Sequence, residues 1–518
     1  MSSEPLKPGH TSATWRVRQS LATVEFDWRE FFTGLGLLGL FLLFLGAIQF
    51  STPNLSSTDG YFHIKFAEIM RDQGLRPPFP WLPLTILNPQ DYADHHFLFH
   101  VLLIPFTYGD LRVGAKWTGV IFPALAFWTG WLFLRGQRVR YAALWAVGFL
   151  AVSEAFLYRL SMPRVQAVSL LMMILVLHAV LTGRERWLFP LTFTYVWLYD
   201  GFPFIILIVG CYTFSRWVLE GRLRLWPLVY VGLGVGLGLL INPYFPQYII
   251  FIYHHMLPKL TESSSASVGN EWYPYQTWTL VENSGPSLLV MAAGVVALGL
   301  SQRRMSTQTG TLLLVALLFG FLLLKSRRFI EYYPAFALLF CASAWNAVLA
   351  EVRPAKPWLD KAAPVLLALL LLPALLYNYR EARESIEETN PYQRYAEASA
   401  WLIANTPPGS LLCQTDWDDF SQLFFYNTHN TYTLGLDPTY MESYRREMYE
   451  LWRNIGRGRV ALPSQPMAAI FGCPYVLTDL DHESFLDEAA DDPNLEEVYR
   501  DEYAVIFRIH DSVAVGYQ

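Results

Sequence analysis

Several charged residues in this sequence stand directly at the ends of apolar runs, where a side chain can do chemistry at a bilayer surface if the runs cross one. Asp59 follows the first run, in Thr58-Asp59-Gly60-Tyr61-Phe62-His63. A carboxylate there can act as a general base or a metal ligand, or it can cap a helix over 61–73. Downstream stand Asp91, Asp94, His95, His96 and His100. His96 and His100 share a helix face at i, i+4, so this cluster can bind a divalent cation or form a polar rim. A third segment, Ser267-Val268-Gly269-Asn270-Glu271-Trp272-Tyr273-Pro274, places Glu271 among aromatics suited to sugar stacking or to anchoring at a membrane interface. Arg327-Arg328-Phe329 opens a later apolar run. A guanidinium fork suits phosphate, although an interfacial arginine can also simply snorkel.

The elements that carry these residues follow from composition. The chain has 518 residues, 53% hydrophobic and 16% charged, against about 25% charged in soluble proteins. Its apolar residues are gathered into runs near the ~20 residues needed to span lipid as a helix. Eleven candidate spans fall at 31–51, 114–134, 140–157, 163–183, 186–199, 202–218, 224–242, 286–302, 309–325, 330–350 and 361–378. The stretch 96–108 is shorter and reads as re-entrant or interfacial. With that assignment Arg135, Arg138, Arg140, Arg184, Arg186, Arg216, Arg222, Arg224, Arg303, Arg304, Arg353, Lys356 and Lys361 fall on one side with Arg16, Arg18 and Arg29, as the positive-inside rule requires. Residues 1–30 are then cytoplasmic, 31–378 form the transmembrane domain, and 379–518 form an extracytoplasmic domain. The long loops 52–113 and 243–285 also face outward, as do the turns at 158–163, 199–201 and 325–328.

The C-terminal part reads as a small α/β unit. Pro391 to Asn405 predicts an amphipathic helix, and Ser410 to Gln414, Tyr475 to Thr478 and Tyr503 to Ile509 predict strands. Of the four cysteines, Cys211 and Cys341 lie in apolar runs, whereas Cys413 and Cys473 can pair in an oxidising compartment. No nucleic-acid partner is expected.

Taken in order, the outward pieces resemble the catalytic subunit of oligosaccharyltransferase, a polytopic membrane glycosyltransferase of the GT-C class. Asp59-Gly60-Tyr61-Phe62-His63 is similar to the family's first-loop aspartate and aromatic helix. Ser267-Val268-Gly269-Asn270-Glu271-Trp272-Tyr273-Pro274 with Trp278 resembles its SVSE-type loop, with one extra residue before the glutamate. Arg328-Phe329 resembles its phosphate-side pair, and Trp401, Asn405-Thr406-Pro407 and Asp416-Trp417-Asp418-Asp419-Phe420 follow the order of its soluble-domain phrases ending in WWDYG. Two departures stand out. The turn Tyr158-Arg159-Leu160-Ser161-Met162-Pro163-Arg164 has arginines where the family has an acidic metal motif, and Asp416, Asp419 and Phe420 replace the first Trp, the Tyr and the Gly of WWDYG.

The resemblance implies an α-helical polytopic protein of about eleven GT-C-like helices with a small extracytoplasmic α/β domain, in the plasma (inner) membrane. It implies an inverting transfer of a sugar or oligosaccharide from a polyprenyl-phosphate or pyrophosphate donor to a protein, lipid or glycan acceptor, among membrane lipids. Asp59 and Glu271 are the expected catalytic residues. Arg327, Arg328, Arg159 and Arg164 are expected at the donor phosphate, and Trp417, Asp418 and Trp272 at the acceptor. A divalent cation, Mn or Mg, would be held by Asp59, Glu271, Asp94 and His95, an expectation weakened by the missing second-loop acid. The alternatives are a related lipid-donor glycosyltransferase acting on a lipid, polysaccharide or O-linked acceptor, and a non-catalytic pseudoenzyme, flippase or assembly partner.

Overall fold

The computed structural model describes residues 27–261, 269–352, 356 and 358–510. Arg16, Arg18, the flank Ser263–Ser267 with Val268, and Arg353 lie outside the described residues. The chain begins with α1 (Trp28–Gln49), capped by the Asp27 carboxylate on Arg29 N at 2.9 Å. After it come α2 (Asp59–Gln73), α3 (Phe97–Leu103), α4 (Leu111–Gly136), α5 (Ala142–Ala151), α6 (Glu154–Leu160) and α7 (Gln166–Leu181). Then follow α8 (Leu188–Leu198), α9 (Pro203–Glu220), α10 (Trp226–Leu240), α11 (Gln247–Thr261), α12 (Thr277–Leu300), α13 (Thr307–Lys325), α14 (Tyr333–Val352) and α15 (Leu359–Glu387).

Seven of these helices are apolar and long enough to cross a bilayer: α1, α4, α9, α12, α13, α14 and residues 361–387 of α15. The expected span 140–157 is not straight. It divides into α5 and α6, which meet at 87° and would make an eighth crossing if counted together. The cause is Ser153, whose hydroxyl accepts from Phe156 N (3.1 Å) and donates to Asn283 O (2.6 Å), so a new helix starts there. The expected spans 163–183, 186–199 and 224–242 correspond to helices of 16, 11 and 15 residues. The stretch 96–108 forms α3 and a 3₁₀ turn, Ile104–Thr107, too short to reach across lipid.

Close backbone approaches bring the site-bearing turn 161–164 into place. Gly119 on α4 lies directly against the Ser161 carbonyl, which also accepts from Gln49 Nε2 at 2.9 Å at the end of α1. Gly60 on α2 lies against Pro163, where a Cβ would come within 3.0 Å of the proline ring. A side chain at either glycine would push the turn away from α4 or α2. Lys116 is buried and its ammonium donates to Gln49 O (2.6 Å) and Thr52 O (2.8 Å), closing the free carbonyls at the end of α1.

The C-terminal part contains α16 (Ala396–Asn405) and a five-stranded sheet of β1 (Leu411–Gln414), β2 (Thr431–Tyr432), β3 (Tyr475–Asp479), β4 (Leu495–Arg500) and β5 (Ala504–Ile509). The order is β2-β1-β3-β5-β4, with β1 parallel to β2 and β3, and β5 antiparallel to β3 and β4. The helix expected from Pro391 starts only at Ala396. Tyr395 adopts a left-handed backbone (φ 67°) and buries its ring so that its hydroxyl donates to Asp419 Oδ1 at 2.6 Å. Cys413 and Cys473 are joined by a disulfide. The first loop is knitted to this part: Tyr432 N donates to Trp81 O (2.8 Å), Trp81 Nε1 to Thr428 O (2.9 Å), and Ile86 N to Tyr440 O (3.1 Å). Tyr61 and Phe62 of α2 pack their rings on Phe425 and Phe424 of the helix Phe420–Tyr426.

Candidate active site

Three arginines from two distant parts of the sequence meet around one carboxylate. Arg159 at the end of α6, Arg164 in the following turn and Arg328 in the 3₁₀ turn Arg327–Glu331 all face Glu271. The separations are 2.5 Å from Arg159, 2.9 Å from Arg328 and 3.4 Å from Arg164. Two further acids complete the cluster: Arg159 reaches Glu331 at 2.7 Å, and Arg164 Nε lies 3.1 Å from Asp59. Three guanidiniums thus face three carboxylates, and the cluster is close to neutral as it stands. Glu331 is fully buried, whereas Asp59 keeps 30% of its side chain exposed and open to an incoming molecule. Burial alone would raise the Glu271 carboxyl, but Arg164, Arg328 and Arg159 outweigh it and hold it well below the ordinary carboxylate range.

The segment carrying Glu271 is seated on the arginine turn. Ser326 Oγ donates to Glu271 O (2.8 Å) and Arg327 N to Tyr273 O (3.0 Å). Arg328 also donates to the Tyr199 hydroxyl (3.3 Å) and lies 4.9 Å from the Trp272 ring centre. Trp272 therefore braces an arginine through a cation–π contact. Arg327 stands apart from the cluster, with its side chain on Pro274 O at 3.3 Å and over the Tyr275 ring.

Asp418 approaches the same place from the C-terminal part. Its Oδ1 accepts from Thr58 Oγ1 at 3.0 Å, one residue before Asp59. Asp418 is open to solvent but lies low in a cleft of about 310 Å³ shared with Asp416, Asp419, Asp479, Arg394 and His482. Burial within the cleft, then the charges of Asp59 and Asp416, push its carboxyl up to about 6. Asp419 is pushed up to about 8 by burial and Asp416. Trp417 packs against the core behind the sheet.

The four expected metal ligands do not gather. Arg164 fills the space between Asp59 and Glu271. Asp94 turns inward, its Oδ2 2.7 Å from His100 Nδ1 and its Oδ1 accepting from His96 N. His100 in turn lies 2.8 Å from His63, so the i, i+4 pair His96/His100 serves a buried Asp94–His100–His63 chain. His95 stacks on Phe251 at 4.6 Å. Among the described residues no three His, Cys, Asp or Glu side chains come together as a metal site. A divalent cation does not fit this donor set, because guanidiniums already occupy the carboxylates it would need.

Glu331 and Tyr199 complete the cluster without a motif of their own in the sequence. Glu331 had one signal, an acid immediately inside an apolar run and close behind two arginines.

No family model matches the chain, and no curated protein matches it in sequence. Its three-dimensional likenesses are extensive. The Archaeoglobus fulgidus oligosaccharyltransferase AglB, in complex with an inhibitory peptide and a dolichol-phosphate, is similar at a TM-score of 0.61 and 15% identity, over 90% of this chain and 71% of that one. ArnT from Cupriavidus metallidurans, bound to undecaprenyl phosphate, is similar at a TM-score of 0.56 and 16% identity, over 92% and 99%. The mycobacterial arabinofuranosyltransferase AftD is similar at 0.57 and 15% identity, over 92% of this chain and 41% of that one. With these likenesses over nine-tenths of its length, the chain has the fold of the GT-C membrane glycosyltransferases.

Proposed function

We propose that this protein transfers a sugar or oligosaccharide from a polyprenyl-phosphate or pyrophosphate donor to an acceptor at the outer face of the plasma (inner) membrane. The observation that carries this reading is the convergence of Arg159, Arg164 and Arg328 beside Asp59, inside a fold shared with an oligosaccharyltransferase and with ArnT, the first in complex with dolichol-phosphate and the second bound to undecaprenyl phosphate. Breaking the C1–oxygen bond of the donor leaves charge on its phosphate, and preorganised guanidiniums lower that barrier. Arg164 takes the place a metal would fill, between Asp59 and the phosphate seat.

Asp59 accepts the proton of the acceptor nucleophile as its oxygen or nitrogen forms the new bond to C1. The phosphate leaves with the old bonding pair from the opposite face, which inverts the anomeric centre. Because Glu271 already balances the three arginines, a phosphate reaches them by exchange with that carboxylate. The loop carrying Glu271 thus moves as the donor arrives and reseats when the site closes. The cytoplasmic segment 1–30, the membrane domain 31–378 and the outer domain 379–518 follow from this orientation, and the Cys413–Cys473 disulfide suits an oxidising outer compartment.

The acceptor is the open part. Asp418 lies in an acidic cleft with Asp416 and Asp419, two of the residues that depart from the family's sequon-reading phrase, while Phe420 is buried in the core and Trp417 packs against the core behind the sheet. This favours a related enzyme with a lipid, polysaccharide or O-linked acceptor over one reading an Asn sequon.

The test is a deletion strain complemented with wild type, Asp59→Ala or Arg328→Ala, followed by mass spectrometry of extracted polyprenyl-linked glycans. Accumulation of a lipid-linked glycan in the deletion and both variants, but not with wild type, supports the transferase and identifies the donor. Accumulation in the deletion alone would place the protein in the pathway without the proposed site, and no accumulation anywhere would remove the donor class.

A further inference from the structure

The helix ends remote from the site carry an open cavity of about 460 Å³, lined by Arg184, Glu185, Arg186, Trp187, Arg224 and Trp226. Connectivity fixes its position. α7 leaves the Arg164 turn and runs 16 residues, ~24 Å, before reaching Arg184. α8 starts at this cavity and ends at Tyr199, the partner of Arg328. The cavity therefore lies at the ends of α7 and α8 away from the arginine–carboxylate cluster.

Three arginines line it with a single carboxylate. Glu185 is buried beneath the rim and lies 3.0 Å from Arg224, which it orients. Its other oxygen, Oε1, is buried and makes no hydrogen bond. Trp187 and Trp226 are 62% and 63% exposed, as ring systems at the headgroup level of a bilayer are. From Trp226 an exposed apolar stripe continues along α10 through Val229, Leu233, Leu237 and Leu240, spaced by three or four residues. A soluble phosphate has no use for that stripe, whereas an acyl chain lies along it with its phosphate at the arginines.

We propose that this cavity is a binding site for an anionic phospholipid, with the headgroup phosphate seated among Arg184, Arg186 and Arg224 and an acyl chain on the exposed face of α10. The site is independent of the transferase reading. It places a second lipid phosphate at the helix ends away from the active site, where anionic headgroups meet basic side chains.

The test uses the purified full-length protein in detergent, with phosphatidylglycerol or phosphatidylcholine added as mixed micelles. Native mass spectrometry and thermal unfolding are the readouts. Wild type is expected to retain phosphatidylglycerol and gain thermal stability from it, with phosphatidylcholine doing neither. Arg184→Gln and Arg186→Gln are each expected to weaken retention about five-fold. Arg224→Gln is made together with Glu185→Gln, so that no buried carboxylate is stranded, and is expected to have a similar effect. Equal retention of the two lipids by wild type, or unchanged selectivity in all the variants, would overturn the proposal. So would inorganic phosphate reproducing the full thermal shift, since that would make the cavity a site for a free anion. Glycosyl transfer measured without anionic lipid should be the same in wild type and variants.

Discussion

Glu271→Gln removes the one carboxylate that all three arginines share while leaving the shape of the site almost unchanged. In the wild type, Arg159 and Arg328 make short charge-assisted contacts to it and Arg164 a longer one. A donor phosphate must displace that carboxylate before it can use the same guanidiniums. With glutamine, the three arginines face only Asp59 and Glu331, and the cluster carries a net positive charge before any donor binds. Each hydrogen bond to a charged group contributes ~1.5–3 kcal/mol. Releasing even one such bond from the exchange improves donor affinity by about ten-fold or more. The same substitution destabilises the donor-free protein, because guanidiniums only 11–17% exposed lose a counter-charge. The assay is thermal unfolding with and without a short-chain polyprenyl pyrophosphate, together with donor KM. The expected result is a lower Tm without donor, a larger donor-induced rise than in wild type, and a lower donor KM. A donor KM that rises or stays unchanged, with no larger thermal response, would refute the exchange, and a rise would make Glu271 a direct donor contact.

Other parts of the site make separate demands. Arg164→Ala and Arg328→Ala should each lower kcat by about 10²-fold, the scale of losing one preorganised donor at a developing oxyanion; full activity in Arg164→Ala would remove that arginine from the mechanism. Because Arg164 fills the gap between Asp59 and Glu271, EDTA should leave transfer by purified protein unchanged, and restoration of chelated enzyme by Mn²⁺ or Mg²⁺ would count against this assignment. Asp418 titrates near 6 in the folded protein, above its unfolded value of about 3.9. A carboxyl raised in this way favours the folded state at low pH, and that advantage fades as pH climbs from about 4 through 6. Asp418→Asn should therefore raise Tm relative to wild type above pH 6 and give no gain at pH 4, as read by unfolding scans across that range. The Cys413–Cys473 disulfide closes a separation of 60 residues, which corresponds to on the order of 4 kcal/mol of unfolded-state entropy. Cys413→Ser with Cys473→Ser should lower the Tm of the C-terminal part, and an unchanged unfolding profile would show that the bridge is absent in the protein.

The sequence discloses those features that are local. Apolar runs mark the helices because a bilayer-spanning backbone must bond to itself. Strands β1, β3 and β5 stand out because they are buried apolar runs. β4, Leu495–Arg500, is a charged edge strand with mixed exposure, and β2 is two residues long, so neither carries a pattern that propensity can detect. The bend between α5 and α6 falls at Ser153-Glu154, one short polar pair inside an otherwise apolar run, and what fixes it is Ser153 donating to Asn283, a residue far along the chain. Tyr395 delays α16 for the same kind of reason, since its partner Asp419 is 24 residues away.

Pairing is the property that sequence types do not reveal, and the site depends on it. From residue type alone Asp59 reads as a cap, a base or a metal ligand and Asp94 as a ligand or part of a polar rim, and Glu271 joins them as a ligand only through the resemblance. Only the fold shows that Asp94 is spent on His100, and that Asp59 and Glu271 are joined by Arg164. That juxtaposition needs Gly60 and Gly119, which let α2 and α4 close onto the 161–164 turn. With the turn held there, an arginine at 164 stands between two carboxylates without further adjustment of the backbone. Its guanidinium supplies fixed positive charge toward the proposed phosphate seat while Asp59 stays partly exposed. Arg164, one of the two second-loop arginines that depart from the family pattern in sequence, is thus the residue that holds the two candidate catalytic carboxylates together, while Arg159 ties Glu271 to Glu331.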